Sequence, residues 1–184
     1  MELLDGKLVS SQIKANLKEE IVTLKEKYGV APKLAIVLVG NVEASHIYVR
    51  NKLKACKLIG MDTKLVELEE SITTEQLVEV VEGLNSDDTI DGIIVQLPLP
   101  KHVDENVIIN TIKTEKDVDG FGIINKGKLF CGMPCLKSAT PYGIIKLLEA
   151  YNIDLCGKEA VVVGRSNIVG KPMAMMLLNK NATV

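Results

Sequence analysis

The chain has 184 residues, 22 basic and 24 acidic side chains, a formal charge of −2, and 47% hydrophobic against 25% charged residues. That balance excludes intrinsic disorder, collagen-like repeats and a coiled coil. Near-neutral charge leaves no electrostatic footprint for nucleic acid or an acidic membrane surface. At roughly 150 residues per domain, the length predicts one domain or two small ones.

Periodicity divides the chain into alternating elements. Residues 8–28 repeat apolar side chains at helical spacing (Leu17, Ile21, Leu24) and stop at Gly29, a candidate C′ glycine. Residues 33–39 form a continuous apolar run before Gly40, which predicts a buried strand. A helix over 44–59 ends on Gly60, and 63–68 alternates as a strand does. Thr73-Thr74-Glu75-Gln76 has the pattern of a capping box opening a helix through Leu84. Residues 92–97 predict the next buried strand, halted by Pro98 and Pro100, and 104–113 a short helix behind Asp104.

Residues 117–134 hold Gly120, Gly122, Gly127 and Gly132 and no helical period, so they read as loop, with room for a hairpin. Thr140-Pro141 supplies an N-cap and an N1 proline for a helix to Tyr151. A second β-α start follows: strand 159–163, a glycine turn, a helix to about Leu178, and the first residues of another strand at 182–184. Alternating β and α elements predict an α/β fold with a mainly parallel sheet. The glycine-rich interruption divides it into a three-layer lobe over 1–138 and the start of a second lobe over 139–184.

Composition narrows the chemistry. Four Tyr, two Phe and no Trp leave an aliphatic core and no stacking platform for single-stranded nucleic acid. The four cysteines form no C-x-x-C pair, and reduced thiols are expected. Cys131 and Cys135 frame a C-G-M-P-C loop, but His46 and His102 are the only histidines and stand apart, so no metal site is expected. The N-terminal residues have neither a basic flank nor a long apolar run, which predicts a cytoplasmic protein without a membrane segment.

Several constellations could carry chemistry. Val161-Val162-Val163-Gly164-Arg165-Ser166-Asn167-Ile168-Val169-Gly170-Lys171-Pro172 runs from a strand through a glycine turn into a helix, a phosphate-binding arrangement. It lacks the middle glycine of G-x-G-x-x-G, so a plain βα turn is an equal reading. Arg165 favours phosphate, which a guanidinium binds bidentately. Ser45, Tyr48 and Lys52 recur at spacings of three and four on one helical face. A desolvated lysine there is suited to acid–base work, while a solvated amphipathic helix is the bland alternative. Gln96 is polar at the carboxyl end of an apolar strand, where ligands of open α/β sheets bind. Asp117 and Asp119 open the glycine-rich loop and alone read as a turn.

Taken in order, the motifs are specific. Gly40-x-x-x-Ala44-Ser45-x-x-Tyr48-x-x-x-Lys52, Gln96-Leu97-Pro98-Leu99-Pro100, Asp117-Val118-Asp119-Gly120-Phe121, Thr140-Pro141-x-Gly143 and Gly164-Arg165-Ser166-x-x-Val169-Gly170-x-Pro172 resemble the bifunctional methylenetetrahydrofolate dehydrogenase/methenyltetrahydrofolate cyclohydrolase family. A short-chain dehydrogenase also uses Y-x-x-x-K, but there the glycine motif precedes the tyrosine.

The resemblance implies NADP-dependent oxidation of 5,10-methylenetetrahydrofolate, then hydrolysis to 10-formyltetrahydrofolate, in a cytoplasmic homodimer. It implies catalytic roles for Lys52, Tyr48, Gln96 and Asp119. Folate contacts would come from Ser45, Tyr48, Gln96, Leu97, Pro98 and Asp119. Contacts to the cofactor would come from Gly164, Arg165, Ser166, Val169, Gly170 and Pro172 of a Rossmann-like NAD(P)-binding lobe. It also implies a longer chain. The residue that chooses between NAD and NADP is expected about 20 positions after Gly164, so NADP rests on Arg165 and NAD stays open. The expectation is a C-terminally truncated member with little dehydrogenase turnover. A non-catalytic folate-binding or assembly-forming relative is the alternative.

Overall fold

The structure, a computed structural model, describes residues 3–184. Its elements run α1 (Gly6–Tyr28), β1 (Lys33–Val39), α2 (Glu43–Ile59), β2 (Asp62–Leu68), α3 (Thr74–Ser86), β3 (Gly92–Val95), α4 (Glu105–Thr111), α5 (Ile123–Phe130), α6 (Ala139–Ala150) and α7 (Gly170–Leu178). The fold is α/β, as the alternation requires. The chain groups into two compact units, Ser11–Lys116, and Asp117–Val184 together with the first residues up to Ser10.

In the Ser11–Lys116 unit a three-stranded parallel sheet has the order β2-β1-β3. Lys33 to Val39 pairs with Asp62 to Leu68 along its whole length, and Leu34 to Val37 pairs with Gly92 to Val95. β1 is therefore central, which is why its sequence is apolar on both faces. Ala35, Val37 and Val39 join Leu77, Val81 and Leu84 of α3, Ile93 and Val95 of β3, and Ile108 of α4 in one core. Ile36 and Leu38 alternate to the opposite face and are equally buried.

The local signals here act as expected. Gly60 closes α2 in the left-handed conformation at φ 84°. At the start of α3, Thr73 accepts the Gln76 N–H and the Gln76 side chain accepts the Thr73 N–H, a complete capping box. Lys116 donates to the carbonyls of Leu84, Asn85 and Asp87, so its ammonium closes the C-terminus of α3. The His102 Nε2 lies 3.0 Å from the Ile72 carbonyl.

The other unit departs further from the sequence reading. Residues 123–130, expected as loop, form α5 despite Gly127, whose helical cost is only about 1 kcal/mol. Long-range anchoring offsets that cost. The buried Asp117 carboxylate accepts from the Phe121 and Gly122 N–H groups and from Asn125 Nδ2, and Leu129 packs with Met173, Met176 and Leu177 of α7. The helix α6 starts earlier than expected, with Ser138 as N-cap in place of Thr140 and Pro141 as its third residue. A proline is tolerated there because first-turn N–H groups have no intrahelical acceptor.

The expected strand over 159–163 does not form a ladder. It is reduced to one parallel bridge, Glu159 to Thr183, with Ala160 N–H donating to Thr183 and Thr183 N–H to Lys158. Val161 and Val163 are 90% and 98% exposed, because beyond Ala160 no strand pairs with them among the described residues. The third strand, expected to reach Leu97, ends at Val95.

Candidate active site

The Ser11–Lys116 unit holds Ser45, Tyr48, Lys52, Gln96, Leu97 and Pro98, the first three on α2. At about 100° per residue, Ser45, Tyr48 and Lys52 span an arc of roughly 60° on α2. That arc runs from core to solvent: Ser45 is 3% exposed, Lys52 half-buried and Tyr48 63% exposed. The phenol is thus presented at the rim, with the ammonium one turn further along the helix.

Gln96 follows the last residue of β3, and its N–H still donates to the Val37 carbonyl of β1 at 2.9 Å. The carboxyl end of the central sheet therefore fixes its backbone. Its side chain is fixed twice more: Nε2 donates to the Leu97 carbonyl at 2.7 Å, and Oε1 accepts from Lys52 Nζ at 3.1 Å. Lys52 Nζ is the donor in this pair, so the amide meets it with its oxygen while Nε2 donates to the Leu97 carbonyl. The peptide between Leu97 and the exposed Pro98 is cis. One turn beyond Lys52, burial pushes the Cys56 thiol up, and a backbone hydrogen bond and the Lys52 charge only partly oppose it. Cys56 is a buried apolar filler rather than a reactive thiol; all four cysteines are free.

Asp119 belongs to the other unit, where it is half-buried in the turn closed by Gly120 N–H on the Asp117 carbonyl. A Cβ at Gly120 would meet the Leu136 carbonyl oxygen at 2.6 Å, and φ is +62°, so glycine is required there. Asp117, read from sequence as half of a carboxylate pair, is the organising member. It is buried, with both oxygens taken by the Phe121 and Gly122 N–H groups and by Asn125 of α5.

The glycine turn before α7 has the properties of an anion cradle. The backbone N–H groups of Arg165, Ser166, Asn167 and Ile168 donate to no acceptor among the described residues. Ser166 Oγ accepts from Val169 N–H and Gly170 N–H, fixing the turn from within. A Cβ on Gly170 would stand 2.5 Å from the Gly164 carbonyl carbon, so the two glycines permit a close backbone crossing. Pro172 is buried in the first turn of α7, and the Arg165 side chain is exposed beside the cradle. Val169 is the N-cap and adds no side-chain cap of its own. Unpaired N–H groups, a helix N-terminus and a free guanidinium fit a phosphorylated dinucleotide. Sequence could not reveal which N–H groups stay unpaired, nor that the Leu97 carbonyl orients Gln96, because both are backbone properties.

Comparison with known proteins supplies the family. The model for the tetrahydrofolate dehydrogenase/cyclohydrolase catalytic domain matches residues 4–119, and that for the NAD(P)-binding domain matches residues 138–184. The chain belongs to the tetrahydrofolate dehydrogenase/cyclohydrolase family. It is 50% identical over 184 residues to the bifunctional protein FolD of Campylobacter hominis, covering all of this chain and 64% of that protein. The crystal structure of FolD from Campylobacter jejuni superposes with a TM-score of 0.98 at 50% identity, over 100% of this chain and 65% of that one. A Trypanosoma brucei dehydrogenase–cyclohydrolase, crystallised with NADP and an inhibitor, is 37% identical with a TM-score of 0.93, over 98% of this chain and 62% of that one. The chain thus spans about two thirds of the length of the relatives it matches. No helix among the described residues is long and apolar enough to cross a membrane.

Proposed function

We propose that the chain serves tetrahydrofolate one-carbon interconversion: NADP-dependent oxidation of 5,10-methylenetetrahydrofolate to the methenyl form, and hydrolysis of that cation to 10-formyltetrahydrofolate. In this reading residues 1–138 supply the folate-binding and catalytic lobe and 139–184 open the dinucleotide lobe. The observation that carries it is the hydrogen bond of 3.1 Å from Lys52 Nζ to Gln96 Oε1, whose amide is oriented by its own bond to the Leu97 carbonyl. That bond aims the lysine, which has no carboxylate partner among the described residues, beside an exposed Tyr48 ring.

When bound, NADP supplies the hydride acceptor. The chain's own work is orientation and proton handling. Tyr48 offers a flat apolar face for the pterin, with Ser45, Leu97 and Pro98 completing the folate contacts. Asp119 accepts N–H bonds from the pterin's polar edge. With its amine unprotonated, Lys52 takes a proton from the water that adds to the methenyl carbon and returns it to nitrogen as the ring opens. Gln96 holds Nζ on that trajectory. Gly164, Arg165, Ser166, Val169, Gly170 and Pro172 form the cofactor cradle, with Arg165 directed to the 2′-phosphate. Family membership supports a cytoplasmic homodimer.

The alternative reading is a folate-binding or assembly-forming relative without turnover. Calorimetry with a folate analogue, run beside an assay of methenyltetrahydrofolate hydrolysis, separates the two. Saturable binding with hydrolysis supports the enzyme; binding without hydrolysis supports the relative.

A further inference from the structure

The buried serine at the start of α6 has a hydroxyl that does not serve its own helix. Ser138 is the N-cap, 3% exposed, and makes no side-chain cap hydrogen bond. An N-cap hydroxyl ordinarily accepts the N–H of the second or third helical residue. The third residue here is Pro141, which has no N–H to offer. The Ser138 hydroxyl instead donates to the carbonyl of Ile168, 30 residues further along the chain. Ile168 is the last of the four residues whose N–H groups remain unpaired in the turn between Gly164 and Gly170.

Side-chain hydroxyls therefore hold the turn both from inside and from outside. Inside it, Ser166 Oγ secures Val169 and Gly170. From outside, Ser138 ties down the Ile168 carbonyl. We propose that Ser138 is a positioning residue for the dinucleotide: by holding Ile168 it keeps the N–H groups of residues 165–168 in one arrangement, ready for phosphate. This rests on the reading of that turn as the cofactor cradle.

Threonine and valine have the same shape and differ by the hydroxyl, so Ser138→Thr and Ser138→Val, made in the full 184-residue chain, isolate the donor. Ser138→Ala repeats the loss without adding volume. The measurements are the Kd for NADP, the Kd for a folate analogue, and amide hydrogen exchange across 164–170. The Val and Ala variants are expected to bind NADP about tenfold more weakly, as loss of one hydrogen bond implies. Exchange should quicken at residues 165–169, with folate binding unchanged and threonine restoring both. A purely structural role would lower thermal stability without this split between ligands. NADP binding by the unaltered chain, with equal Kd and exchange in the Thr and Val variants, would overturn the role of Ser138 alone. Absence of NADP binding by the unaltered chain would overturn the cradle reading, and this role with it.

Discussion

The two units secure their functional groups by different means. In Ser11–Lys116, a central strand paired on both sides carries apolar residues on both faces, and Gln96 leaves directly from the neighbouring strand. In Asp117–Val184 the corresponding stretch meets one bridge and leaves Val161 and Val163 in solvent. Order around its glycine turn comes instead from individual contacts: Gly164 against Gly170, Ser166 on the following N–H groups, and Ser138 on Ile168. A ladder distributes the cost of a lost contact over many bonds, whereas point contacts concentrate it.

Substitutions can break or sharpen that contrast. The largest stability effect is expected in the first core. Leu77→Ala removes a fully buried side chain of α3 and should cost about 2–5 kcal/mol in urea unfolding. Val163→Ala should stay within about 0.5 kcal/mol. Equal losses would erase the distinction. Next, Gly170→Ala forces a Cβ into the Gly164 backbone, so we expect about 1–3 kcal/mol and weakened NADP binding with folate binding intact. Unchanged NADP affinity would show that the crossing does not shape the cradle. Smaller again, Thr73→Ala dismantles the capping box and should cost about 1 kcal/mol, leaving both ligand affinities alone.

The smallest effect is pH-dependent. The hydroxyl and backbone N–H of Thr89 hold the half-buried Asp87 carboxyl down to about 2, below its ordinary 3.8. A depressed carboxyl stabilises the fold above its unfolded pKa, and that contribution is lost as pH falls from about 3.8 through about 2. Asp87→Asn should therefore lower the urea midpoint slightly at pH 7 and not at all below pH 2. A difference independent of pH would refute the assignment.

The same contrast governs what the sequence made legible. The apolar run at 33–39, Gly60 and the Thr73–Gln76 box state their structure locally, because burial on both faces, a left-handed cap and a reciprocal cap each leave a residue signature. The Tyr48–Lys52 spacing likewise survived folding as a shared helical face. Residues 123–130 did not announce a helix, since its support comes from Asp117 and from the α7 core rather than from propensity. The valines at 161–163 have strand composition without a strand's partners. Ser138 was invisible because its hydroxyl acts 30 residues away.

The central claim is that Lys52, aimed by Gln96, performs the proton transfers of the hydrolytic step. Its most direct test is the rate of methenyltetrahydrofolate hydrolysis by the unaltered chain and by Lys52→Met, with folate-analogue affinity measured on both. We predict that Lys52→Met loses hydrolysis by roughly 10²-fold or more while binding stays within a few-fold. Hydrolysis at the unaltered rate in Lys52→Met would contradict it.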